Sequence, residues 1–200
     1  TVTPGGSTSV SFNNKLNTGS ISLTKTTEDG QSLSGWQFGI YSNSACTTLV
    51  SGPHSTNSSG KISVTGLTPG TYYVKELGNT DSSINALYYC SSTNPQPVTV
   101  TAGGTAAVSF TNKLNTGSVK LVKVTNTGAN LSGWQIGLYT DSSCTSAVSG
   151  SPYTTGADGT VTVTGLISGT YYAKELPTDD PYWEVDTAVK SVTVAVGQTA

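Results

Sequence analysis

Long strings of this 200-residue chain occur twice, and that repetition limits the fold more than any other feature. SFNNKLNTGS at 11–20 returns as SFTNKLNTGS at 109–118, and LSGWQFGIY at 33–41 returns as LSGWQIGLY at 131–139, both displaced by 98 positions. TGLTPGTYYVKEL at 65–77 returns as TGLISGTYYAKEL at 164–176, displaced by 99. QPVTVTAGGTA at 96–106 returns as KSVTVAVGQTA at 190–200, displaced by 94. The drifts fall where loops are expected, near 53–60 and in 78–90. So long a period belongs to tandem globular domains, because solenoid repeats span roughly 20–45 residues. The alignment gives one complete repeat at 15–114 and a second at 115–200 that lacks the last strand. Residues 1–14 match closing strands, and are expected to belong to a preceding repeat or to complete a neighbouring chain.

Each repeat alternates polar and apolar residues with period two, the signature of a half-buried strand. Turn signals such as Asp29-Gly30, Pro69-Gly70, Gly103-Gly104 and Asp158-Gly159 separate the runs. With 28 Ser, 34 Thr, 23 Gly and no Met, composition favours short strands and tight turns. No convincing amphipathic helix is present. The expected class is all-β, a tandem array of immunoglobulin-like β-sandwiches.

Charge and hydropathy remove several partners. Nine Lys, no Arg and a net charge of −2 argue against nucleic acid. No apolar run approaches the roughly 18 residues of a membrane helix, so no membrane insertion is expected within the chain. The single His54 is expected to be a loop residue rather than a catalytic base. With no second histidine and no Gly-x-Ser-x-Gly elbow, a hydrolase is disfavoured. No cofactor is implied.

The alternation places a polar residue at the end of each apolar face. Lys25 follows Ile21 and Leu23, Glu76 follows Tyr72 and Val74, and Asn112 follows Val108 and Phe110. Side chains at i, i+2 and i+4 share a face of a strand. If the three strands share a core, an amine, a carboxyl and a carboxamide point into it. The second repeat copies two of them, as Lys123 after Val119 and Leu121, and Glu175 after Tyr171 and Ala173. Lys120 is a competing amine but lies on the opposite face. Burial favours the neutral, nucleophilic form of an amine. A neighbouring carboxyl could polarise the carboxamide carbonyl and shuttle a proton to departing ammonia. The expected product is a self-made Lys25–Asn112 isopeptide bond with Glu76 as its catalyst.

Here the sequence resembles the CnaB-type, SpaA-type, prealbumin-like domains of Gram-positive pilins and surface adhesins. The matching strings are LTKTTEDGQSLSGWQFGIY (23–41), GLTPGTYYVKEL (66–77) and VSFTNK (108–113). The resemblance implies a prealbumin-like sandwich per repeat and a first-strand Lys joined to a last-strand Asn with help from a Glu. Those positions fall on Lys25, Asn112 and Glu76, and in the second copy on Lys123 and Glu175. The partner of Lys123 is expected to be an Asn beyond residue 200, or Asn14 of a neighbouring chain. Trp36 and Trp134 depart from the family, which often has a small residue there. The implied role is structural and non-enzymatic, a stalk or filament module at the cell surface or cell wall whose partners are further copies or repeats. Strand complementation between copies could polymerise it.

Cys46 and Cys90 lie in one repeat and could form a disulfide; Cys144 matches Cys46, but the position matching Cys90 holds Glu184. No Cys/His cluster suggests zinc. Asp179, Asp180, Glu184 and Asp186 read as a solvated acidic loop rather than a cation site. The alternative function is a carbohydrate- or host-ligand-binding adhesin module, using Tyr88, Tyr89, Tyr182 and Trp183 in the 78–95 and 177–187 loops.

Overall fold

The computed structural model describes Thr1 and residues 4–200; the Val2–Thr3 part of the expected head strand lies outside the described residues. Residues 4–18 form no strand, and regular structure begins at Gly19. Two compact units follow the repeats. Unit 1 comprises Thr1–Ser82 and Cys90–Asn112, and unit 2 comprises Ser83–Tyr89 and Lys113–Ala200. The sequence division at 114/115 differs from this because Asn115 holds the 83–89 segment. Its backbone N–H donates to Leu87 O and its Nδ2 to Ala86 O, each at 2.8 Å.

Two four-stranded sheets carry the first repeat, 19–114, with residues 88–89 and 113–114 at their ends counted in unit 2. One contains β1 (Gly19–Thr27), β4 (Lys61–Leu67), β6 (Tyr88–Cys90) and β8 (Thr105–Leu114), in the order β4-β1-β8-β6. The other contains β2 (Trp36–Tyr41), β3 (Leu49–Ser55), β5 (Gly70–Asn79) and β7 (Gln96–Val100), in the order β3-β2-β5-β7. β1 pairs antiparallel with β4 and parallel with β8, so the first strand has a neighbour on each edge. The alternating residues of β1 and β8 meet those of β2 and β5 in a core that includes Ile21, Leu23, Phe38, Val74 and Phe110. Phe38 and Phe110 pack with ring centroids 5.0 Å apart. The one helix among the described residues, α1 (Ser82–Leu87), is too short to leave an amphipathic pattern, and was not legible in the sequence.

Unit 2 repeats most of this plan. It has a four-stranded sheet of β10 (Gln135–Tyr139), β11 (Tyr153–Thr154), β13 (Gly169–Glu175) and β14 (Lys190–Val194), ordered β11-β10-β13-β14. A two-stranded sheet pairs β9 (Thr116–Val122) with β12 (Thr160–Ile167). Val119, Leu121, Leu138, Val163, Leu166, Tyr171 and Val194 form its core. No counterpart of β8 stands beside β9 among the described residues. Residues 198–200 run along β9, with Ser118 bridging Thr199 in parallel and Lys120 N–H donating to Ala200 O at 2.8 Å.

Leu138 is fully buried at the centre of unit 2. Leu138→Ala should lower that unit's stability by about 2–5 kcal/mol, read from the shift in its chemical-denaturation midpoint.

Candidate cross-link site

Three polar residues sit among the most buried side chains of unit 1. Lys25 and Asn112 are each 1 % exposed and Glu76 is 7 % exposed. The strand period explains why. Lys25 shares the inward face of β1 with Ile21 and Leu23, and Asn112 shares that of β8 with Val108 and Phe110. Parallel pairing sets Lys25 opposite Phe110, with Asn112 one side-chain step further along, opposite Thr27. Glu76 enters from the other sheet, on the inward face of β5 beside Tyr72 and Val74.

The carboxyl group of Glu76 connects the other two. Asn112 Nδ2 donates to Glu76 Oε1 at 2.7 Å, and Lys25 Nζ lies 3.2 Å from Glu76 Oε2. That ion-pair approach is not aligned as a hydrogen bond, and Lys25 Nζ, Glu76 Oε2 and Asn112 Oδ1 have no hydrogen-bond partner among the described residues. Buried polar atoms left in this state are rare, because each forfeits its hydration without replacement. Burial pushes the Lys25 amine below its ordinary 10.5, while the nearby Glu76 carboxylate opposes the shift. Burial also raises the adjacent Cys90 thiol, holding it in its less nucleophilic protonated form. One expectation is reversed. Glu76 accepts from the amide nitrogen instead of donating to the amide carbonyl, so the carboxyl stands beside the nitrogen that would leave.

Backbone features fix the amine. Lys25 N–H donates to Gly60 O at 2.7 Å, and Gly60 adopts φ 69° against the Lys25 carbonyl, where a Cβ would overlap it. Only glycine tolerates both demands. Trp36 covers the amine, with Lys25 Nζ 4.6 Å from the ring centroid. The Trp36 indole N–H donates to Ser32 O at 2.7 Å, and its backbone N–H to buried Thr56 Oγ1 at 3.0 Å. Unit 2 repeats these contacts at Trp134, with Lys123 Nζ 3.9 Å from the ring centroid, the indole on Asn130 O and the backbone on Thr155 Oγ1. Sequence reasoning treated the two tryptophans as departures. The available signal was their recurrence eleven residues after each lysine.

In unit 2, Lys123 Nζ and Glu175 Oε1 pair at 2.6 Å, with side chains 11 % and 9 % exposed. Glu175 Oε2 accepts the Asp186 N–H at 3.3 Å. Asn14, the carboxamide expected to complete this set, is exposed and outside any strand.

The remaining candidates do not converge. Cys46 and Cys90 are free thiols, so the possible disulfide is not formed. Cys46 belongs to the β2–β3 connection of one sheet, where it donates a backbone bond to Asn43, whereas Cys90 ends β6 of the other. His54 is on strand β3 rather than in a loop, hydrogen-bonded to Ser51 Oγ at 2.9 Å. Tyr88 is buried, Trp183 packs edge-on against Trp134, and Tyr89 and Tyr182 are exposed. No group of three metal-ligating side chains occurs among the described residues.

The lowered Lys25 pKa has a measurable sign. Between its folded value and 10.5 the unfolded chain binds more protons at this site, so stability rises with pH across that window. In Asn112→Ala, where the amine has no carboxamide to join, stability should climb as pH approaches 10.5. Adding Lys25→Met should remove that slope in parallel denaturation series.

A family model described as SpaA, prealbumin-like fold domain, matches residues 19–114 and again 117–200. No curated protein matches the chain. Among solved structures, the Bacillus anthracis TIE protein aligns with a TM-score of 0.64 and 21 % identity, over 91 % of this chain and 32 % of that one. This chain thus spans about a third of that protein, and the likeness shows fold. A streptococcal ancillary pilin aligns at 23 % identity and TM-score 0.43, over 94 % of this chain and 62 % of its own. The shaft pilin SpaA of Lactobacillus rhamnosus GG aligns at 16 % and 0.40, over 91 % and 95 %. With both repeats matched in full sequence order, the chain belongs to the SpaA prealbumin-like fold domain family.

Proposed function

We propose that this chain is a load-bearing structural module of an extracellular surface filament such as a pilus, and that unit 1 is sealed by a Lys25–Asn112 isopeptide bond formed with the help of Glu76. One observation carries the reading: an amine, a carboxyl and a carboxamide share a buried core while keeping unsatisfied polar atoms. Left unreacted, such a set costs several kcal/mol. Membership of the SpaA family and the pilins among its structural relatives fit the same reading.

The chemistry follows from the contacts. Lys25 Nζ, in its neutral form, attacks Asn112 Cγ. The Nζ–Cγ bond forms and the Cγ–Nδ2 bond breaks. The hydrogen lost from Nζ passes through the Glu76 carboxyl, which lies against both nitrogens, and Nδ2 leaves as ammonia. The event is a single self-modification without turnover.

The bond would join neighbouring parallel strands that open and close the unit. Tension entering at Gly19 and leaving at Leu114 would cross it and bypass residues 26–111. Closing a loop of roughly 90 residues also contributes about 4–5 kcal/mol by analogy with disulfides.

The intact mass of the denatured chain should fall about 17 Da below the sequence mass, one ammonia per bond. Lys25→Ala, Asn112→Ala and Glu76→Ala should each restore the full mass, and Glu76→Ala should melt roughly 20 °C lower. A wild-type mass equal to the sequence mass overturns the bond.

A further inference from the structure

We propose that each unit carries a binding site for an anionic polysaccharide, on the outward face of the sheet that holds Glu76 or Glu175. In unit 1 the rings of Tyr41 and Tyr73 pack on sugar rings while Lys75 takes a carboxylate. Tyr139, Tyr172 and Lys174 do the same in unit 2. The inference goes beyond the filament role and uses neither lysine of the cross-link sites.

The two repeats show where change is tolerated. Between WQFGIY at 36–41 and WQIGLY at 134–139 the inward residues differ, Phe38 becoming Ile136 and Ile40 becoming Leu138. Between TYYVKEL at 71–77 and TYYAKEL at 170–176, inward Val74 becomes Ala173. The outward residues of the same strands are identical. Gln37, Gly39 and Tyr41 recur as Gln135, Gly137 and Tyr139, and Thr71, Tyr73 and Lys75 recur as Thr170, Tyr172 and Lys174. The outward face of the other sheet behaves differently: Ser22 becomes Lys120, Thr24 becomes Val122 and Lys61 becomes Thr160. Outward strand positions are those that packing leaves free to vary. A face that stays fixed while the core behind it changes points to a constraint outside the fold.

Register sets the retained side chains next to one another. Tyr41 stands opposite Tyr73 and Gly39 opposite Lys75, and Tyr139 stands opposite Tyr172 and Gly137 opposite Lys174. Side chains placed directly opposite have Cβ atoms about 4.5–5.5 Å apart. The first tyrosine of each pair lies down along its strand. A Cβ on Gly39 would meet the Tyr41 ring and hydroxyl at 2.6–2.9 Å, and one on Gly137 would meet those of Tyr139 at 2.5–2.8 Å. Each glycine is thus the floor under a ring, and a low aromatic strip runs along the sheet beside one amine. A ring that covers a strand glycine is also a structural device. That accounts for Gly39 and Tyr41, but gives Gln37, Tyr73 and Lys75 no reason to persist.

Charge and shape define the ligand. The strands of each sheet contain one acidic residue, Glu76 or Glu175, and it lies on the inward face. The outward strand positions therefore offer a cation and no anion, which favours an anionic partner. A half-buried tyrosine suits a surface that is apolar on its face and hydroxylated at its rim. A pyranose ring is such a surface, and a uronic acid adds the carboxylate. Gln37 and Thr71, on the same face, can bond to sugar hydroxyls. An acidic peptide of aliphatic carboxylates presents no ring to the tyrosines, and a nucleic acid needs clustered cations. None of Tyr88, Tyr89, Tyr182 and Trp183 belongs to these strands.

The test titrates the full chain with polygalacturonate at low ionic strength, read by calorimetry, beside two controls. Dextran has sugar rings without charge, and polyglutamate has charge without rings. Polygalacturonate should bind at least tenfold more tightly than either, and added salt should weaken it. Lys75→Gln with Lys174→Gln, and separately Tyr73→Thr with Tyr172→Thr, should each weaken binding about tenfold or more. Threonine keeps the strand preference, and a wild-type melting temperature shows that each variant is folded. Changing unit 1 alone should remove only part of the binding. Absence of binding, equal binding of either control, or a folded lysine variant that binds like wild type overturns the inference. So does self-association of the wild type that the Tyr73→Thr, Tyr172→Thr chain lacks, which assigns the face to a second copy. Lys25→Ala should bind as the wild type does, so failure of the cross-link and failure of this site are read separately.

Discussion

A buried lysine amine is the constraint around which unit 1 is arranged. Removing an ammonium from solvent is expensive, and a single carboxylate repays that only with good geometry and further hydrogen bonds. Lys25 has neither in full: its ion-pair contact is 3.2 Å and unaligned, and its other neighbour is the face of Trp36. A ring face attracts a cation by roughly 0.5–2 kcal/mol, less than hydration provides. The amine is therefore held by its surroundings. β1 is locked between β4 and β8, and Gly60 closes on the Lys25 backbone. Since Lys25 and Asn112 come from one sheet and Glu76 from the other, packing the two sheets and assembling the site are the same event.

Much of this was legible because strands write their faces into the sequence at period two. Ile21, Leu23 and Lys25 alternate with polar residues, as do Tyr72, Val74 and Glu76, and Val108, Phe110 and Asn112. Each inward set is buried in the structure. The pattern says which face a residue shares, but not which strand stands opposite. Parallel pairing of β1 with β8 depends on chain path and leaves no local trace. The same gap explains the cysteines: Cys46 and Cys90 share a repeat, but separate sheets carry them.

Other features were hidden because their residue types are too common or their geometry too fine. Thr56 and Thr155 are buried hydroxyls that bridge a tryptophan N–H to the carbonyls of Leu33 and Leu131, yet nothing marks them among 34 threonines. The direction of the Asn112–Glu76 bond is a matter of one side-chain rotation, which no spacing encodes. His54 lies among Gly, Pro and Ser, a composition that reads as loop, but pairing with Phe38 makes it strand. In that stretch tertiary pairing outweighs local preference.

The two units hold the same lysine and glutamate in different polar surroundings. Their lysines, glutamates, tryptophans, buried threonines and pinning glycines correspond. Gly159 accepts the Lys123 N–H and approaches its carbonyl as Gly60 does for Lys25. The polar geometry nevertheless differs. In unit 2, Lys123 and Glu175 close to 2.6 Å and keep some exposure, and the second carboxylate oxygen takes a backbone N–H from Asp186. In unit 1, the carboxyl is shared between an amine and an amide, and the amine contact is 3.2 Å. The carboxyl of unit 1 is thus divided between an amine and a carboxamide carried by β8, and that of unit 2 between an amine and a backbone N–H. The same lysine and glutamate give a close ion pair in one unit and a looser three-group set in the other, according to which donor shares the carboxylate.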